Sequence, residues 1–151
     1  MYSIGQVAEM FGLPISTLRY YDKQGLFPKM ERVSGIRKFS DTEIEALRVI
    51  ECLKKAGMEI RDIRQFMEWC TEGAATYSQR KALIEAKKVH MEEEIRRMNQ
   101  ALDMLKFKSW YYEQAIKDGG EEGIPAMIPN GLPKEIRAAY ENSHKDAGGT
   151  A

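Results

Sequence analysis

Thr17-Leu18-Arg19-Tyr20-Tyr21-Asp22-Lys23, with Gly25-Leu26 behind it and Ser34-Gly35-Ile36-Arg37-Lys38-Phe39 further on, is the stretch from which the fold is read. Upstream, Ser3-Ile4-Gly5-Gln6 has the form of a capping box, and Ile4, Val7, Ala8 and Phe11 follow at helical spacing up to Gly12. Pro14 suits the first position of a second helix, which turns Ile15, Leu18 and Tyr21 inward and breaks at Gly25. Two short helices joined through Phe11-Gly12-Leu13 make a helix-turn-helix.

Working downstream, the pattern changes after Leu26. A polar stretch leads to Ser34-Gly35, and Ile36 to Phe39 alternates apolar with basic residues, which predicts a small β-hairpin, or wing. Ser40-Asp41-Thr42-Glu43 is a second capping box; it opens a helix with Ile44, Leu47, Ile50 and Leu53 on its core face and a stop at Gly57. A fourth helix carries Ile60, Ile63, Phe66 and Met67 to about Cys70. Residues 71–77 contain Gly73 and no sustained period, so a connecting loop is expected there.

The most regular signal lies between about 78 and 117, a span without Gly or Pro. Met91, Ile95, Met98, Leu102 and Leu105 recur at alternating spacings of four and three, and the register continues through Ser109 and Tyr112 to Ile116. About 40 helical residues would run roughly 60 Å, and a single helix cannot bury its own stripe, so the seam calls for a partner. Residues 118–151 are rich in Gly and Pro and hold one short amphipathic stretch, Pro133 to Tyr140; a loosely packed tail is expected. The organisation is thus a mainly α chain: a winged helix-turn-helix over 1–70, a connecting loop over 71–77, a coiled-coil helix over 78–117 and a tail over 118–151.

Composition bounds the function. The 151 residues suffice for one domain with an extension. There is no basic-then-apolar leader and no apolar run near ~18 residues, so a cytoplasmic chain without membrane contact is expected. Net charge is zero, yet between Pro14 and Ser40 the cations Arg19, Lys23, Lys29, Arg32, Arg37 and Lys38 meet only Asp22 and Glu31. A local excess of this kind attracts phosphate. Only Cys52 and Cys70 are available to pair, too few for a disulfide scaffold. Metal-binding, phosphate-loop and nucleophile-elbow motifs are missing, so neither an enzyme nor a resident cofactor is expected.

In this order the Leu-Arg-Tyr-Tyr run, the Gly-Ile-Arg wing, Gly57-Met58, Ile63 and the long terminal helix resemble the winged helix-turn-helix regulators of the MerR family over about the first 70 residues. Ile36 and Phe39 stand where that family usually has tyrosines, removing two hydroxyls. The resemblance implies a homodimer built on an antiparallel pair of long helices through Met91, Ile95, Met98, Leu102 and Leu105. It also implies double-stranded promoter DNA as partner, with RNA polymerase on the same promoter and control by twisting and bending the duplex.

Site residues follow from position. Ser16, Thr17 and Arg19 occupy the first turns of the second helix, where a helix-turn-helix reaches base edges. Tyr20, Arg32, Arg37 and Lys38 suit phosphates, because cations and phenols on a wing position a duplex without identifying bases. Cys52 falls at the edge of the apolar arc of the third helix, with Arg48 and Lys55 about a turn away, and cations so placed favour the thiolate. Small-hydrophobe packing is the alternative for that residue. The runs Ile50-Glu51-Cys52-Leu53 and Thr71-Glu72-Gly73 resemble the thiol-dependent, aldehyde- and electrophile-responsive branch of the family, which implies effector sensing at Cys52. Trp110, Tyr111 and Tyr112 offer a competing site for a hydrophobic or cationic small molecule, or else cover the end of the coiled coil. His90 and His144 lack metal-ligand spacing with a cysteine, and no metal is expected. A coiled-coil protein-interaction module is the alternative to a DNA-binding switch.

Overall fold

The computed structural model describes residues 1–145. Six α-helices and a hairpin follow in the order α1 (Ile4–Phe11), α2 (Ile15–Lys23), β1 (Glu31–Val33), β2 (Ile36–Lys38), α3 (Asp41–Lys55), α4 (Ile60–Glu72), α5 (Tyr77–Asp118) and α6 (Lys134–Ser143). They form two compact units, Met1 to Lys88 and Val89 onwards.

In the first unit both capping boxes form. Ser3 Oγ accepts the Gln6 N–H at 3.2 Å while Gln6 Oε1 accepts the Ser3 N–H at 2.8 Å, and the Glu43 carboxylate accepts the Ser40 N–H at 2.9 Å. Donors that a bare helix end leaves unpaired are thereby satisfied. Pro14 sits at the N-cap of α2 rather than inside it. Leu18 and Tyr21 are buried as expected, but Ile15 is 39% exposed, because the first turn of α2 projects beyond the core. The hairpin turns through Ser34 and Gly35, both at positive φ (53° and 79°), the pattern of a type I′ turn whose twist matches the strands. Its register sets Arg32 opposite Arg37, and Tyr2 bridges to Phe39 at its edge.

Val7, Leu18, Tyr21, Leu26, Phe39, Leu47, Ile50 and Ile63 are almost completely enclosed and bring α1 to α4 around one core. Each such side chain contributes roughly 1.5–3 kcal/mol relative to exposure. Phe39 meets Phe27 edge-on at 5.5 Å, so position 39 serves the core and faces no phosphate.

The expected loop over 71–77 is helical instead. Helix α4 continues to Glu72, a 3-10 turn covers Gly73–Thr76, and α5 begins at Tyr77. The buried Thr76 hydroxyl lies 2.6 Å from the Trp69 carbonyl, and Arg80 Nη2 donates to the Gly73 carbonyl at 2.7 Å. Side chains thus complete the turn's hydrogen bonding, a mechanism that leaves no hydrophobic period in the sequence.

In the second unit the tail is packed, which corrects the expected loose segment through residue 145. Phe107 of α5, 3% exposed, meets Tyr140 of α6 edge-on at 4.9 Å, and Ile124 and Leu132 are buried. Asn142 Nδ2 donates to Asp103 Oδ2 at 2.6 Å, and Gln100 Nε2 to the Asn142 carbonyl at 3.3 Å. His144 stacks beside Tyr140 with ring centres 4.0 Å apart. The heptad seam is left uncovered by this packing, with exposures running from 38% at Met91 to 82% at Ile116. No helix among the described residues is long and apolar enough to cross a membrane.

Candidate nucleic-acid interface

Helix α2 is a two-sided element. Leu18 and Tyr21 anchor it to the core, and on the other side Ser16, Arg19 and Tyr20 are exposed while Thr17 is half-buried. These four residues present one hydroxyl-rich, singly cationic surface, and Arg19 makes no ion pair among the described residues. The wing lies against the far end of the same helix. Asp22 Oδ2 accepts from Arg32 Nη2 and from Arg37 Nε, each at 2.6 Å. Asp22 is itself only 13% exposed, against 49% and 23% for the two arginines.

The double bond explains how two like charges tolerate facing positions in the hairpin. Opposed cations on one ladder repel, and a carboxylate bridging both offsets that repulsion while joining α2 to the wing. Arg32 and Arg37 are therefore held through Nη2 and Nε respectively, and their other guanidinium N–H groups are not used in this bridge. Lys38, half-buried on β2, makes no ion pair among the described residues. Asp22 was not singled out in the sequence; the available signal was its being one of two acids in a basic stretch.

A second link ties α2 to α3. The Tyr21 hydroxyl donates to Glu51 Oε1 at 2.7 Å and accepts from Lys54 Nζ at 3.0 Å. Burial, before any other influence, pushes the Tyr21 phenol above its ordinary range, with Lys54 acting against it and Glu51 with it. The Tyr21 hydrogen bond is the main cause that raises the Lys54 ammonium. Cys52 lies between those two partners in sequence and is exposed on α3. Its neighbour Arg48 stacks over the Phe11 ring at 5.5 Å. Cys70 is exposed as well, at the edge of a cavity of about 160 Å³ bordered by Leu26, Phe27 and Met67.

The aromatic run of α5 separates into different environments. Trp110 stacks on Phe107 at 6.3 Å, Tyr111 meets Phe107 edge-on at 6.1 Å under the Lys108 ammonium, and Tyr112 is 55% exposed. Among the described residues no three His, Cys, Asp or Glu side chains are placed to hold a metal ion.

Comparison with known proteins bears on this geometry. The model of the MerR HTH family regulatory proteins matches residues 2–69, and the MerR DNA-binding model matches residues 44–106. An uncharacterized HTH-type transcriptional regulator of Haemophilus influenzae is 35% identical over 124 residues, covering 82% of this chain and 92% of that one. The chain belongs to the MerR family. Solved MerR structures superpose on it. HiNmlR, a MerR family regulator lacking the sensor domain and bound to promoter DNA, is 33% identical with a TM-score of 0.69, over 81% of this chain and 98% of that one. A MerR regulator from Bacillus thuringiensis is 41% identical with a TM-score of 0.65, over 71% of this chain and 95% of that one. This MerR chain is accordingly a DNA-binding transcription regulator and not an enzyme, and the mainly helical fold with a two-stranded wing is the one expected.

Proposed function

We propose that the chain acts as a homodimer on an inverted-repeat promoter, each protomer placing α2 in the major groove and its wing on the flanking backbone. The observation that carries this reading is the Asp22 bridge, which makes helix and wing one body, with Ser16, Arg19 and Tyr20 exposed on the helix. The superposable relative bound to promoter DNA supports it. Dimerisation through Met91, Ile95, Met98, Leu102 and Leu105 would cover the exposed seam, and RNA polymerase would respond to the bend and twist imposed on the duplex.

Fluorescence anisotropy on the promoter and on scrambled duplexes, across a salt series, tests this. Six to ten phosphate contacts per complex predict a loss of about 10³–10⁵ in affinity between roughly 50 and 200 mM salt. Arg19→Ala is expected to relax sequence preference along with affinity, and Lys38→Ala to weaken all duplexes alike. Equal binding to promoter and scrambled DNA would overturn the reading in favour of a protein-interaction module.

For the effector, the accessible thiol of Cys52 supports a chemical trigger, since α3 also carries Glu51 and Lys54, the partners of Tyr21 on the recognition helix. A thiolate adding to the β-carbon of an unsaturated aldehyde, with a proton taken up at the α-carbon, would place bulk on the helix that carries that link. Cys52→Ser is expected to keep promoter binding and lose the transcriptional response to the aldehyde, and Cys70→Ser to keep both. In vitro transcription with mass spectrometry of the adduct decides; an adduct confined to Cys70 removes Cys52 from the mechanism.

A further inference from the structure

Two rows of residues flank the open seam of α5, and both carry the same order of charge. Glu92, Asn99 and Lys106 form one row at heptad spacing, and Glu94, Ala101 and Lys108 form the other. Each row runs from acid through neutral to base, and all six residues are exposed. Helix α6 leaves them open, because it engages Gln100, Asp103 and Phe107 on the side of α5 away from the seam. Within the chain these charges are little used. Lys106 approaches Asp103 only to 3.8 Å, the Lys108 ammonium rests over the Tyr111 ring at 4.6 Å, and Glu94 meets Arg97 at 3.1 Å on the surface. Glu92 makes no ion pair among the described residues.

From this pattern we infer that α5 selects a second copy of this chain in one antiparallel register, with the twofold axis level with Gln100. Glu92 pairs there with the partner's Lys106 and Glu94 with the partner's Lys108, each pair formed twice. The inference rests on the homodimer proposed above and deepens it, by naming the residues that choose the partner and its alignment.

The register follows from the order of charge. A row that runs acid, neutral, base sets acid against base when it is reversed about its middle residue, and charges beside a coiled-coil seam govern partner and orientation. With the axis at Gln100, Met98 packs on the partner's Leu102 and Ile95 on the partner's Leu105, while the polar Ser109 falls at the margin against the partner's Met91. Each acid then lies about 3 Å along the helix from the level of its lysine, two residues of rise and within a lysine's reach. Half a heptad in either direction removes the match. Moved toward the C-terminus, the axis opposes Glu92 to the partner's Glu113 and brings Ser109 inward against the partner's Met98. Moved toward the N-terminus, it sets Glu92 against the partner's Asn99 and Glu94 against the partner's Ala101, so no flanking pair of the second unit attracts.

Cross-linking of the full chain carrying Cys52→Ser/Cys70→Ser tests the register. Asn99→Cys faces its own symmetry mate, and a short bis-maleimide is expected to link it to itself. Glu92→Cys alone and Lys106→Cys alone are expected to stay unlinked, and a mixture of the two to link. Sedimentation equilibrium tests the charges. Lys106→Glu/Lys108→Glu is expected to weaken the dimer by about tenfold or more, the combined size of four exposed ion pairs. The fourfold exchange Glu92→Lys/Glu94→Lys/Lys106→Glu/Lys108→Glu is expected to restore self-association and to refuse the wild-type chain as partner, a rescue that loss of folding could not produce. Circular dichroism checks that each variant is helical. A dimer that fails to link through Asn99→Cys, or that links Glu92→Cys to itself, overturns the register and leaves the homodimer standing. Undiminished association of Lys106→Glu/Lys108→Glu, or a fourfold exchange that stays dissociated while helical, overturns the role of the ion pairs. A monomeric wild type overturns the homodimer and the register with it.

Discussion

Asp22 does more than its sequence context announces. Its one carboxylate oxygen accepts from two arginines that face each other across the hairpin. Asp22→Asn removes the charge and restores their repulsion. Because Arg32 is half exposed, solvent screening keeps the stability cost to about 1 kcal/mol or less. The larger expected effect is on DNA: two released guanidiniums steepen the salt dependence by up to about two phosphate equivalents and raise affinity for unrelated duplexes, so discrimination falls. Anisotropy titrations on promoter and scrambled DNA read both slopes; unchanged slopes would mean that the arginines reach phosphate without leaving Asp22. Tyr21 makes a separate prediction. Its phenol and the Lys54 ammonium are both raised in the folded protein, so the folded state holds these protons more tightly than the unfolded chain. The stabilisation is complete below the ordinary phenol and ammonium values, about 10 to 10.4, and is lost as pH rises through the higher folded values. Tyr21→Phe is expected to cost about 1 kcal/mol at neutral pH and to flatten the alkaline fall in stability, measured by urea unfolding at several alkaline pH values.

At the scale of elements, α5 presents two faces with opposite fates. Gln100, Asp103 and Phe107 are engaged by α6, whereas the seam from Met91 to Ile116 stays open. Phe107 is the pivot of the covered face. Phe107→Ala is expected to cost about 3–5 kcal/mol locally and to release α6 while leaving α5 helical. Hydrogen exchange over Lys134–Ser143 should then rise sharply with little change in the first unit; unchanged protection of α6 would show that Ile124 and Leu132 suffice to hold it. The covered face showed no long period because its apolar residues, Phe107 with Trp110 and Tyr111, cluster within little more than one turn, and Gln100 and Asp103 continue the face with polar contacts to α6. The seam was visible in the sequence because its repeat is long and regular.

For the whole molecule, the open seam is the feature that a lone chain leaves unresolved. Five exposed seam residues between Met91 and Leu105 form a stripe that water disfavours. Replacing Ile95 and Leu102 with Lys would place unpaired charges in a dry interface. Sedimentation is expected to show wild type as a dimer at micromolar concentration and this variant as a monomer, with promoter affinity falling because the half-sites are then bound singly. A monomeric wild type would refute the dimer. The helix-turn-helix, the wing and the extent of the long helix were all legible beforehand. Of the proposed interface, the candidates Arg19, Tyr20 and Lys38 could be named from position, but the links made by Asp22, Glu51 and Lys54 could not.

That division has a physical cause. Capping boxes at Ser3 and Ser40, the turn at Ser34-Gly35 and the heptads of α5 act between residues a few positions apart, so type and spacing alone declare them. By themselves they determined the element types and their order. Tertiary structure alone decided the rest. Asp22 meets arginines 10 and 15 positions away, Tyr21 meets Glu51 30 positions away, and Asp103 meets Asn142 across 39. Thr76 and Arg80 close a turn through single hydrogen bonds to carbonyls seven positions back. Such contacts leave no period in the chain, because each depends on where separate elements are brought by a core that buries Leu18, Phe39, Leu47 and Ile63 together.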